Sequence, residues 1–196
     1  KTIADRAIAN EEAVPMIIVM PDAWDTWYIN QYDGKAPYED MFFEELIPYM
    51  EKTYRIRSNK ESRAIAGLSM GGYGSFLYSL HHPDMFCACA PLSAAVFDDT
   101  VMEARKNKSH KDLFNRLFGP GDEHWQQNNV LKILSDWNQN DLPKIRYYID
   151  CGDDDGLLDG NMQVHQIMRQ KGIKHEFRVR DGGHSWTYWR TALPEV

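Results

Sequence analysis

Gly67-Leu68-Ser69-Met70-Gly71 is the stretch on which the fold turns. It reads G-x-S-x-G, and its flanks give the pattern weight. Ala64-Ile65-Ala66 before it is a short apolar run of strand length, and Tyr73-Gly74-Ser75-Phe76-Leu77-Tyr78-Ser79-Leu80 after it reads as a helix. A serine at a tight strand-to-helix turn holds its hydroxyl above the sheet, beside the positive end of the following helix. Gly67 and Gly71 lack the Cβ atoms that would clash in such a turn. The competing reading is an ordinary glycine-rich turn.

Working outward, strand and helix patterns alternate. Val14 to Met20 is a continuous apolar run ending at Pro21-Asp22, the pattern of a central strand buried on both faces. Lys1 to Glu12 reads as a helix. Pro37 to Tyr54 reads as another, with Pro37 suited to the first turn and Pro48 expected to kink it. His81-His82-Pro83-Asp84 ends the helix after the elbow. Phe86 to Leu92, Lys144 to Cys151 and Lys174 to Arg180 read as further strands. Asp159 to Gly172 reads as a helix capped by Gly172, and Thr187 onward as a last helix. The alternation predicts an α/β fold: a mainly parallel sheet with helices on both faces. Residues 97–137 break it, with a charged run from Glu103 to Lys111 and Phe118-Gly119-Pro120-Gly121-Asp122. This segment is expected to be an insertion between strands in a single domain spanning 1–196, either a cover over the site or a solvated excursion.

The 196 residues suffice for one domain with a sizeable core. A net charge of −7 and the lack of a basic stripe speak against a nucleic-acid partner. No apolar run approaches membrane-spanning length, so no membrane partner is expected, and no signal peptide is visible. Cys87, Cys89 and Cys151 are an odd set without metal-ligand spacing, expected as reduced thiols.

A serine hydroxyl needs a neighbouring base, and the base an orienting carboxylate. In an α/β-hydrolase the chain order is Ser, then Asp or Glu, then His. Of the histidines after Ser69, His81 and His82 end the elbow helix, His110 and His124 fall in the insertion, His165 lies within a helix and His175 begins a strand. His184, in Asp181-Gly182-Gly183-His184-Ser185-Trp186 between the last strand and the last helix, is the candidate base. The acid belongs after the strand Lys144 to Cys151, where Asp153, Asp154, Asp155 and Asp159 all qualify by position. That cluster does not match the calcium-loop spacing. One oxyanion donor is expected from the Met70 backbone N–H. No segment of the sequence reads as the loop that should carry the second, and on this reading the fold is truncated at both ends.

Three segments together carry a specific resemblance: Gly67-Leu68-Ser69-Met70-Gly71-Gly72, Cys151-Gly152-Asp153-Asp154-Asp155-Gly156-Leu157-Leu158 and Gly183-His184-Ser185-Trp186-Thr187-Tyr188-Trp189-Arg190. Pro21-Asp22, Trp27-Tyr28 and Glu44-Glu45-Leu46-Ile47-Pro48-Tyr49 extend it. The chain resembles the esterase D/feruloyl esterase family, and within it the bacterial feruloyl and acetyl xylan esterases of carbohydrate esterase family one. The resemblance implies an α/β-hydrolase three-layer sandwich that hydrolyses esters on plant cell-wall polysaccharide, with no cofactor and no metal. It implies Ser69 as nucleophile, His184 as base and, from the family's Cys-Gly-x-x-Asp-x-Leu pattern, Asp155 as acid. Family members carry a His-Gly loop for the second oxyanion donor, upstream of Lys1. Trp24, Trp27, Tyr28 and Trp186 are candidate aromatic walls for a feruloyl ring or a sugar face, although Trp27 and Tyr28 could equally pack their loop. The implied partner is an ester-decorated polysaccharide or small ester. Its cell-wall source implies an extracellular or periplasmic location, and an exposed sheet edge would favour a homo-oligomer. The rival readings are an S-formylglutathione hydrolase-like thioesterase, an acyltransferase, and a non-catalytic carbohydrate-binding module.

Overall fold

The computed structural model of the protein describes residues 2–107, 110–138 and 144–196. Lys1, at the start of the expected first helix, and residues 108–109 of the charged run lie outside these. Helix α1 spans Thr2–Ala9. A helical stretch follows from α2 (Tyr38–Asp40) through a π turn (Met41–Leu46) into α3 (Ile47–Thr53). Pro48 does not break it. Proline has no N–H to give to the preceding turn, and the wider π turn, closed by the Ile47 N–H on the Phe42 carbonyl, takes up that irregularity.

The sheet is built from β1 (Ala64–Leu68), β2 (Ala88–Leu92), β3 (Arg146–Gly152) and β4 (His175–Arg180), in that spatial order and with every pairing parallel. Parallel neighbours require crossovers. Helix α4 (Met70–His81) joins β1 to β2, and α9 (Leu158–Lys171) joins β3 to β4. Between β2 and β3 run α5 (Asp99–Asn107), α6 (Lys111–Phe118), α7 (Glu123–Asn128) and α8 (Val130–Asp136). Gly172 ends α9 with φ +74, the left-handed position at which glycine costs least. Helix α10 (Trp186–Ala192) follows β4.

Strand alternation sorts the side chains into two layers. Cys89, Tyr147 and Ile149 point into the main core with Phe76 and Leu77 of α4, Leu134 of α8 and Val164 of α9. Leu92 points to the opposite face and packs with Tyr188, Trp189 and Ala192 of α10. Helices thus lie on both faces of the sheet, as the alternation predicts.

Two expectations are overturned. Val14 to Met20 enters no ladder, and its side chains are largely exposed, Val14 at 74% and Met20 at 77%. A strand buried on both faces needs a bonded neighbour, and β1 bonds only to β2 among the described residues. Hydrophobicity marks such a segment but does not supply its partner. Nor is the segment before β3 a solvated excursion: Met102, Phe114, Leu117, Phe118, Trp125 and Leu134 of α5 to α8 are all buried in the main core. Cys87, Cys89 and Cys151 are unpaired, and burial pushes the thiols of Cys89 and Cys151 up to about 12, which keeps them protonated. No helix among the described residues is long and apolar enough to cross a membrane.

Candidate active site

Ser69 sits between β1 and α4 with φ +57 and ψ −118, a conformation that L-residues adopt only at a cost. Its surroundings hold it there. The Ser69 N–H donates to the Leu92 carbonyl at 2.9 Å, and the Ser69 carbonyl accepts from Tyr73 and Ala95 N–H groups. Backbone passes backbone so closely that a Cβ on Gly67 would stand 2.3 Å from the Gly71 carbonyl oxygen. Glycine at 67 is therefore a steric requirement of the turn. Met70 opens α4, so its N–H is one of the helix's first donors, which have no acceptor within the helix.

The loops after β3 and β4 cross just as tightly. A Cβ on Gly152 would lie 2.0 Å from the Gly182 carbonyl oxygen. The Asp154 N–H donates to that carbonyl, and the Gly182 N–H donates to Asp153 Oδ1. This crossing brings the aspartate cluster beside the histidine loop. Ser185 then caps α10 by accepting from the Tyr188 N–H.

The outcome is a relay of three side chains. His184 Nε2 stands 2.9 Å from Ser69 Oγ, and His184 Nδ1 stands 2.9 Å from Asp155 Oδ2. Asp155 has its side chain wholly buried, and its Oδ1 accepts from the Leu157 N–H. An ionised Asp155 can only accept, so Nδ1 carries the proton and Nε2 is left to accept from the serine hydroxyl. Of the four carboxylates that position left open, Asp155 alone meets His184. Asp153 serves the loop crossing. Asp153 and Asp154 are exposed and share an acidic surface cluster with Asp181. Asp159 lies in the first turn of α9.

The aromatic candidates separate. Trp186, two residues after His184 in the chain, is 61% exposed and stands edge-on to Trp189. Trp24 is 80% exposed, with φ +51 and its N–H bonded to Asp22. Trp27 instead packs against Tyr73, Phe97 and Phe114 at ring distances of 5.3–5.8 Å, part of the core wall. Tyr28 lies over the start of α4, with its ring against Gly74 and its hydroxyl near Gly71. Burial, then the charge of Asp22, raises its phenol above the ordinary value.

Residues not singled out in the sequence complete the setting. Trp189 stands 4.8 Å from the His184 ring at 87° and donates its indole N–H to Ser93 Oγ. Ser93 is fully buried with φ +44. Asp150, buried within β3, accepts from Tyr188 and Tyr148 hydroxyls and pairs with Arg180, tying α10 to the sheet. The alternation of β3 was the available signal, since it sends Asp150 to the face opposite Ile149.

The parallel sheet, the strained serine elbow and the crossing loops define the α/β-hydrolase fold. The family profile described as "Putative esterase" matches residues 1–196, and the chain belongs to that family. It is 38% identical to a ferulic acid esterase of known structure, with a TM-score of 0.82, covering 100% of this chain and 73% of that one. It is 34% identical over 198 residues to an endo-1,4-beta-xylanase/feruloyl esterase of Xylanibacter ruminicola, covering 99% of this chain and 22% of the relative. An acetyl esterase of Caldicellulosiruptor saccharolyticus is 24% identical over 181 residues, covering 88% of this chain. The chain spans 66% of that relative's length. The resemblance drawn from the three motifs is thus borne out at the level of the family.

Proposed function

We propose that the protein is a serine carboxylesterase that hydrolyses feruloyl or acetyl esters carried by plant cell-wall polysaccharide. The observation that carries this reading is the Ser69–His184–Asp155 relay, with both links at 2.9 Å, at a strained elbow. His184 takes the proton of Ser69 as its Oγ attacks the ester carbonyl. Asp155 holds the Nδ1–H tautomer and stabilises the imidazolium, and the Met70 N–H donates to the oxyanion. The tetrahedral intermediate expels the sugar alkoxide, which leaves with the proton from His184. Water then attacks the acyl-enzyme with His184 again as base, releasing the acid and restoring Ser69. Exposed Trp186, two residues after His184 in the chain, suits the face of an acyl ring or a sugar. The names of the 34% and 38% identical relatives support the feruloyl ester as substrate. In this reading the enzyme works where the polymer is, outside the cytoplasm. The edge of β1 that is unbonded among the described residues and the exposed Val14 to Met20 run favour self-association, which sedimentation at two concentrations tests.

The deciding experiment compares hydrolysis of methyl ferulate, 4-nitrophenyl acetate and S-formylglutathione by this chain and its Ser69→Ala variant. Serine-dependent cleavage of methyl ferulate is the expected result. Cleavage of acetate alone narrows the reading to an acetyl esterase. Preference for the thioester, or activity retained by Ser69→Ala, overturns it.

A further inference from the structure

A concavity begins one residue beyond Asp155. Gly156 and Leu157, directly after Asp155, form one end of a cavity of about 380 Å³ between α5 and α9. Two helical stripes face each other across it. Asp98, Val101 and Arg105 project from the start and body of α5, and Asp159, Gln163 and Gln166 from α9. Their spacings of three, four and seven put each set on one helix face. The helices are held apart yet linked at one end, where Asp98 Oδ1 accepts from the Val101 N–H and Oδ2 from Gln163 Nε2.

The lining is chemically mixed in a particular way. Arg105 lays its guanidinium over Phe97, 4.1 Å from the ring centroid, and 5.7 Å from that of Phe114. Among the described residues it makes no ion pair, so its outward N–H donors are available. Gln163 and Gln166 offer both donors and acceptors, and Asp98 and Asp159 offer acceptors. Val96, Val101 and Leu157 supply apolar surface. Interspersed donors and acceptors over an apolar floor match a ring bearing alternate hydroxyls and C–H faces. The size falls in the range of small-ligand sites, about 300–1,000 Å³. Two carboxylates against one guanidinium leave the lining net negative, which selects against an anionic ligand.

We propose that this cleft is a saccharide subsite that takes a neutral sugar unit of the polymer bearing the ester. The assignment rests on the polysaccharide-esterase reading above for the identity of the polymer. It explains why a polar cleft opens immediately beside the loop that carries Asp155, and it gives Arg105 a ligand.

The test is binding without chemistry. Calorimetric titration of Ser69→Ala with xylotetraose, which has no ester, is expected to show binding. Adding Arg105→Met is expected to weaken it about tenfold or more, the loss of one charge-assisted hydrogen bond. Val101→Trp, at a 40% exposed position on the cavity wall, fills the cleft while keeping the Arg105 guanidinium and is expected to weaken binding as well. Thermal melts establish that each variant is folded. No binding of xylotetraose by folded Ser69→Ala, or binding unchanged in both further variants, overturns the subsite. Tighter binding of an oligosaccharide bearing a uronic acid overturns the choice of a neutral sugar. Failure of the esterase reading is seen separately, as absence of Ser69-dependent cleavage of methyl ferulate.

Discussion

The indole of Trp189 stands edge-on to the His184 imidazole, with ring centres 4.8 Å apart at 87°. The indole is itself fixed, because its N–H donates to Ser93 Oγ at 3.0 Å inside the molecule. Ser93 is held in turn, its N–H donating to the Asp150 carbonyl at 2.7 Å. The histidine therefore has a wall as well as a carboxylate partner, and that wall is anchored to the ends of β2 and β3.

Trp189→Phe keeps an apolar ring but leaves Ser93 without its donor. The expected result is a folded protein with kcat on 4-nitrophenyl acetate reduced by up to about 10²-fold, the scale of a misplaced catalytic group. Trp189→Ala also opens a cavity and is expected to cost about 3–5 kcal/mol in stability. Urea unfolding alongside steady-state kinetics separates the two effects. Unchanged kcat in Trp189→Phe removes the positioning role.

Asp155→Asn tests the acid without removing bulk. The amide can present its NH₂ to His184 Nδ1, which then accepts, leaving the proton on Nε2 and the serine without a base. The proposed role calls for a kcat loss of about 10⁴-fold with little change in thermal stability. Asp153→Asn is the comparison. Its carboxylate bonds the Gly182 N–H and does not face His184, so a much smaller loss is expected. Equal losses in the two would remove Asp155 from its distinct place.

How far the sequence carried this reading depends on whether a feature is local. The elbow is local: the turn brings the Cβ position of Gly67 against the Gly71 backbone, whereas a Cβ on Gly71 would meet only the Tyr28 ring and hydroxyl at 3.4 Å or more, and the pattern is written in five residues. His184 followed from its loop between the last strand and the last helix. Asp155 did not follow from spacing, because four aspartates share that loop. The difference among them is which carboxylate turns inward when Gly152 and Gly182 cross, and only the family motif pointed to it. Val14 to Met20 read as a strand because apolar runs and strands correlate, yet a ladder depends on a partner elsewhere in the chain. Trp27 was ambiguous for a similar reason. An aromatic residue in a loop serves a substrate or a core according to what folds against it, and here Phe97 and Phe114 do. The helices between β2 and β3 left a signal that charge obscured. Phe114, Leu117 and Phe118 have helical spacing on one buried face, beside a run dominated by lysine, arginine and glutamate.

Glycine substitutions distinguish close approach from open space. Gly67→Ala would force a methyl to 2.3 Å from the Gly71 carbonyl oxygen, and Gly160→Ala to 2.1 Å from the Val96 carbonyl oxygen. In both cases the obstacle is backbone, which cannot swing aside. Each is expected to destabilise by at least the roughly 1–3 kcal/mol of an overpacked core. Gly156→Ala meets nothing within 4 Å and should be near neutral. Melting temperatures of the three variants check this, and a Gly156→Ala loss as large as the others would refute the steric account.

Glu39 ties α2 to the end of α4. Its Oε1 accepts from His81 Nδ1 at 2.8 Å and His82 Nε2 at 2.9 Å, while His81 Nε2 donates to the Gln127 carbonyl. Both ring nitrogens of His81 therefore face acceptors, which suits the imidazolium. Burial alone would lower His81, but the hydrogen bond and charge of Glu39 outweigh it and raise it above its ordinary 6.5. Burial alone would raise Glu39, but the hydrogen bonds from His81 and His82 outweigh it and lower it below 4.5. A raised histidine stabilises the fold fully below 6.5, and that contribution fades as pH climbs through the folded-state value. A lowered carboxylate stabilises above 4.5, and its contribution fades as pH falls through the folded-state value. The link is thus strongest between about pH 4.5 and 6.5 and weakens toward pH 8. Glu39→Gln removes the charge that raises His81, so the melting temperature of the variant should fall less between pH 6 and pH 8 than that of the parent. Parallel curves for the two proteins across that interval would show that His81 does not carry this pH dependence.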